Sequence, residues 1–97
     1  MTQVIVSDKA DEDLIGIYRF LENRSPSAAA NFFQSVDRRL SNLSAFPFIG
    51  RDRPDLGPGV RSLIVGNYLI FYKVEHDHIA IIRVIDGRRD IREEFRR

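Results

Sequence analysis

The sequence predicts an α+β domain of order β-α-α-β-β-β, with a helix hairpin packed on one face of a small, mainly antiparallel sheet. Two stretches with helical apolar spacing, centred on Leu14 and Val36, follow one another across Ser25-Pro26. Three strand-like runs fill the second half, separated by the turn dipeptides Gly66-Asn67 and His76-Asp77. Between the halves, residues 45–59 hold three of the four prolines and three of the six glycines, the composition of a loop.

Each element has its own local cause. Val4-Ile5-Val6 is a β-branched run and reads as the first strand. Ser7 or Asp8 then caps a helix, and Asp8, Asp11, Glu12 and Asp13 lie at its start, where the helix dipole favours negative charge. That acidic cluster is a solvated helix start rather than a metal site. Ala10, Leu14, Ile17, Tyr18 and Leu21 share one face of this helix. Gly16 interrupts it at a cost of about 1 kcal/mol against alanine, which close approach of the second helix would offset. Ser25 caps the second helix with Pro26 at its first position, and Pro47 ends it. Ala29, Phe32, Phe33, Val36, Leu40 and Leu43 form its apolar face. The short turn between the helices makes them an antiparallel hairpin. Strands are expected at 60–65, 68–75 and 78–86, with Val65 facing Tyr68 and Glu75 facing His78. The tail from Arg88 to Arg97 has helix-forming residues and few apolar ones, so a short C-terminal helix is expected, mobile until bound.

Strand alternation sorts the meander onto two faces. Val60, Ser62, Ile64, Leu69, Phe71, Ala80, Ile82 and Val84 form the face expected to carry the helices. The opposite face holds Arg61, Leu63, Val65, Tyr68, Ile70, Tyr72, Val74, Ile79, Ile81, Arg83 and Ile85. Since two helices cover only one side of so small a sheet, this second face needs a cover of its own. The C-terminal segment folding back, a second copy and a different partner are the three alternatives. In this register Arg61 lies across from Tyr72 and Arg83 across from Ile70, so the two arginines could hold an anion or a partner's carboxylates.

Composition narrows the function classes. With 97 residues, the chain forms one domain, residues 1–97. Cysteine is absent, which excludes disulfides, zinc-thiolate sites and a cysteine nucleophile. The net charge of +1 is too small to argue for nucleic-acid binding, although 13 of the 15 basic residues are arginine. No apolar run is long enough for a membrane span, and the first residues do not read as a secretory signal, so a cytoplasmic protein is expected. Neither a phosphate-binding glycine loop nor a hydrolytic triad is present, and His76 and His78 at a hairpin tip have no further metal ligand beside them. No catalytic residue, metal or cofactor is therefore assigned.

Several segments resemble the ParE branch of the ParE/RelE toxin superfamily. They are Gly50-Arg51-Asp52-Arg53-Pro54, Gly59-Val60-Arg61-Ser62, Gly66-Asn67-Tyr68-Leu69-Ile70-Phe71-Tyr72 and Ile82-Arg83-Val84-Ile85-Asp86-Gly87-Arg88-Arg89-Asp90. The Tyr-x-Ile-x-Tyr strand and the closing Gly-Arg-Arg-Asp are the most specific. The resemblance implies a toxin of a type II toxin–antitoxin pair, non-enzymatic, inhibiting DNA gyrase. It also implies neutralisation by a small ParD-like antitoxin, through which alone the toxin would meet DNA. The alternatives on this fold are a ribosome-dependent mRNA endonuclease of the RelE type and a non-toxic, complex-forming relative. In mRNA-cleaving relatives a late tyrosine or histidine–tyrosine pair acts with basic residues; here the tail offers Phe95 and no histidine. Asp86 stands where many ParE-like chains carry histidine. Combined with the open face, the resemblance makes Arg61, Leu63, Val65, Ile70, Tyr72, Ile79, Ile81 and Arg83 the expected antitoxin contacts. Arg88, Arg89, Arg92 and Phe95 are the expected target contacts.

Overall fold

The computed structural model describes residues 2–97. The elements run β1 (Gln3–Val6), α1 (Asp8–Arg24), α2 (Pro26–Ala45), β2 (Arg51–Asp52), β3 (Val60–Val65), β4 (Tyr68–Val74), β5 (His78–Asp86) and α3 (Ile91–Arg96). Ser7 caps α1, its hydroxyl accepting from Ala10 N at 3.1 Å, and the same hydroxyl donates to Ile82 O on β5. Ser25 caps α2 in the same way, with Pro26 starting the helix. The 45–59 segment holds one short strand the sequence does not announce. Arg51 and Asp52 pair with Ser62 and Arg61 as β2.

The five strands form one sheet in the order β1-β5-β4-β3-β2. Only the β1–β5 pair is parallel. Gly66, at a φ of 59°, and Asn67 turn β3 into β4, with Val65 opposite Tyr68 as expected. Between Phe71 and Tyr72 the β4–β5 register shifts by one residue. Phe71 therefore pairs with Arg83 and Tyr72 with Ile81, which leaves Ile82 outside the ladder. Arg83 is thus opposite Phe71, not Ile70.

The helices cover the face expected to be open. Leu63, Val65, Ile70, Tyr72, Ile79 and Ile81 are at most 5% exposed and pack against Ala10, Leu14, Phe32, Val36 and Leu43. Val4 and Val6 of β1 join the same core. Of the face expected to carry the helices only Val84 does so, because the bulge reverses the alternation beyond it. Val60, Phe71 and Ile85 form a second, smaller core on the far side of the sheet. Leu56 from the loop and Ile91 and Phe95 from α3 cover it, with the Phe95 ring edge-on to Phe71 at 5.3 Å. The C-terminal segment folds back, as one of the three alternatives held, but over the opposite face. The helix contact expected to offset Gly16 is missing as well: a Cβ there would meet nothing within 4 Å.

Candidate functional site

Two polar junctions organise the surface around the expected site residues. The first joins α1, β5 and α3. Asp13 accepts two hydrogen bonds from Arg83, Nε at 2.8 Å and a terminal nitrogen at 3.1 Å, and a third from Val84 N at 2.9 Å. The remaining Arg83 nitrogen donates to Glu94 O of α3 at 2.6 Å. Arg83 is 8% exposed, and the Asp13 bonds raise its pKa further above an arginine's usual value. An acidic residue that looks like part of a helix-start cluster is thus the internal partner of an arginine expected to meet another protein. Only the tertiary fold, across 70 residues, reveals it.

Beside this junction lies an open groove of about 410 Å³, bounded by α1, the ends of β4 and β5, and α3. Gly16, Ile17, Phe20 and Tyr68 supply its apolar wall. Glu12, Asp86, Arg89 and Glu94 supply charge of both signs. Gly16 lines this groove, and a Cβ there would meet nothing within 4 Å.

The second junction fixes the loop after α2. Buried Tyr72 donates its hydroxyl to Pro47 O at 2.9 Å and accepts from Gly50 N at 2.8 Å, while burial pushes its phenol pKa up. A Cβ at Gly50 would sit 2.5 Å from that hydroxyl, so only glycine fits. Arg61 donates to Gly50 O at 2.8 Å and to Phe48 O at 3.4 Å, and its guanidinium lies 5.1 Å from the centre of the Phe48 ring. Both expected anion-binding arginines are therefore committed to acceptors within the chain. The expected antitoxin set does not form an outer surface: its six apolar members are core, Arg83 is buried, and only half-buried Arg61 reaches solvent.

The tail residues fall into two groups. Phe95 packs on the sheet, whereas the three arginines stay at the surface. Arg88 pairs with Asp86 at 2.7 Å and, through that hydrogen bond first, holds the carboxyl down to about 2. Arg89 reaches Glu94 at 2.8 Å, and Arg92 lies 3.6 Å from Asp55. Sequence reasoning missed the most exposed apolar group, Phe46 and Phe48 at 65% and Ile49 at 45%. Three large apolar residues in a four-residue stretch with proline are its signal in the sequence. Among the described residues no cluster of side chains could hold a metal ion, and no helix is long and apolar enough to cross a membrane.

Comparison with known proteins gives a consistent result. Residues 4–91 match the family described as the ParE toxin of the type II toxin–antitoxin system parDE. Toxin ParE3 of Caulobacter vibrioides is 33% identical over 92 residues, covering 94% of this chain and 92% of the relative. Toxin ParE1 of Mycobacterium tuberculosis is 30% identical over 64 residues, 65% of each chain. A solved structure of a chromosomal ParDE system from P. aeruginosa superposes with a TM-score of 0.73 at 26% identity, covering 89% of this chain and 96% of that one. Sequence and fold agree over nearly the whole length, and the chain belongs to the ParE toxin family of type II toxin–antitoxin systems.

Proposed function

We propose that this toxin acts in the cytoplasm as an inhibitor of DNA gyrase, without catalysing a reaction, and that a cognate ParD-like antitoxin neutralises it. The observation that carries this reading is the family match over residues 4–91. The tail supports it. Stabilising charge on a phosphorane during RNA cleavage calls for cations with a group for proton transfer beside them. Arg83 is tied to Asp13 within the chain, and Phe95, among the surface arginines of the tail, carries no transferable proton. Arg88, Arg89 and Arg92 remain at the surface as candidate target contacts.

The antitoxin needs a surface other than the one the strand alternation indicated. The groove between α1 and α3 is open, partly apolar and bordered by both charge signs, which suits a flexible amphipathic segment. A supercoiling assay with purified gyrase tests the function. Inhibition by the toxin and relief by stoichiometric antitoxin are expected. Full supercoiling activity in excess toxin, with mRNA cut on ribosomes in its presence, would replace the reading with an endonuclease.

A further inference from the structure

We propose that the loop Phe46–Gly50 is the knob with which this toxin grips its cellular target, a folded protein offering an apolar recess rimmed by carboxylates. The inference rests on the toxin reading above and names a surface for it.

Phe46, Phe48 and Ile49 project from a turn between α2 and β2, and the first two keep about two thirds of their surface in water. Exposed apolar residues on a flexible loop would be unremarkable. Here the backbone beneath them is fixed from inside the protein. Tyr72 bridges Pro47 O and Gly50 N, Arg61 holds Gly50 O, and Ile49 N closes the turn on Phe46 O at 3.2 Å. The knob is thus ordered before it binds, so ordering it on binding costs little. Rigid aromatic anchors that fill pockets are the usual source of interface energy.

Shape and charge choose the occupant. Side chains that project fit a recess in a folded partner, whereas a wrapping segment needs a groove, such as the one between α1 and α3, which lies elsewhere. The knob is flanked by cations. Arg61 sits over Phe48, and Arg51 follows the loop with no ion-pair partner among the described residues. Arg39 reaches the same edge of β3 through Ile64 O. Asp52 is the one acidic residue in this set, so the complementary rim is acidic.

The test compares wild type, the triple variant Phe46→Ser/Phe48→Ser/Ile49→Ser, and Arg51→Glu. Growth arrest on expression, thermal midpoint and antitoxin affinity are measured for each, with gyrase inhibition in parallel. Because the substituted side chains are exposed, both variants should melt close to wild type and bind the antitoxin within threefold. The triple variant should need at least tenfold more toxin for the same arrest, and Arg51→Glu several-fold more. A folded triple variant that arrests growth at wild-type levels overturns the proposal. So does one that loses antitoxin affinity in step with toxicity, since the loop would then belong to the antitoxin site. If the triple variant fails to fold, Arg51→Glu alone decides by the same criteria. Wild type that arrests growth without touching gyrase refutes the gyrase reading and leaves the loop judged on arrest. Wild type that arrests nothing overturns both.

Discussion

Removing Asp13 should unfold a large part of this protein's stability margin. Its carboxylate accepts three hydrogen bonds, two from Arg83 and one from Val84 N, and both side chains of the ion pair are only 10–13% exposed. Asp13→Ala leaves the guanidinium buried with Glu94 O as its remaining acceptor and strips the Val84 amide. Breaking a buried pair by deleting one partner costs about 3–5 kcal/mol. The partial exposure here argues for the lower end, about 3 kcal/mol. Against a total of roughly 5–15 kcal/mol for a domain of this size, that is about a fifth to three fifths of the stability. At roughly 4–8 °C per kcal/mol the midpoint should fall by at least about 12 °C. Urea denaturation followed by circular dichroism measures this directly. Asp13→Leu combined with Arg83→Met removes both charges together and should recover most of the loss, since apolar replacement of a whole buried pair is often neutral. A loss below about 1 kcal/mol for Asp13→Ala, the range of exposed pairs, would refute the view that this junction ties α1 to the sheet.

Four further outcomes are expected. Ile81→Asp places a carboxylate in the core under the helices, where Ile81 is 1% exposed, and should yield an unfolded or aggregated chain by circular dichroism and size-exclusion chromatography. Deleting residues 88–97 uncovers Phe71 and Val60 and removes the Glu94 acceptor, and should cost about 2–4 kcal/mol in denaturant melts, reckoned as partial burial of two large side chains plus one hydrogen bond. Gly16→Ala should stabilise by about 1 kcal/mol in helix propensity, whereas Gly50→Ala, pressed against the Tyr72 hydroxyl, should destabilise by about 1–3 kcal/mol. The Asp86 carboxyl is held to about 2, below its unfolded value of 3.8. Its contribution is therefore complete above pH 4 and lost as the pH falls through about 2; Asp86→Asn should flatten the acid limb of the stability curve in that window, less so in high salt.

Much of the architecture was legible. The capping serines, the Gly66-Asn67 turn and the strand runs carry their signals within a few residues, and the structure keeps all of them. Which side of the sheet the helices cover was not legible from alternation, because both faces of β3, β4 and β5 are apolar. Alternation defines two faces and does not say which is covered. The deciding clue lay in size. The face with Tyr72, Ile70, Ile79 and Ile81 presents bulky side chains throughout, while the other includes Ser62 and Ala80. The bulge at Ile82 had no glycine or proline to mark it, and it exchanged the faces of Val84 and Ile85. The same misassignment carried the expected antitoxin contacts into the core. Arg83 shows the general difficulty. Its meaning depends on Asp13, and nothing local links two residues 70 apart.

The parallel pairing of β1 with β5 has a consequence for how the chain comes into being. Gln3 aligns with His78, and the Ser7 hydroxyl reaches Ile82 across 75 residues. Closing so long a loop is entropically costly and is rewarded only once both ends are present. During synthesis, at about 5–20 residues per second, α1 and α2 emerge early, but the apolar strand made first waits for the one made nearly last. A chain that ends before residue 78 holds β2, β3 and β4 but lacks β5, the strand that joins β1 to them. The first strand and the hairpin behind it are therefore locked to the β2–β4 ladder only after β5 has been made.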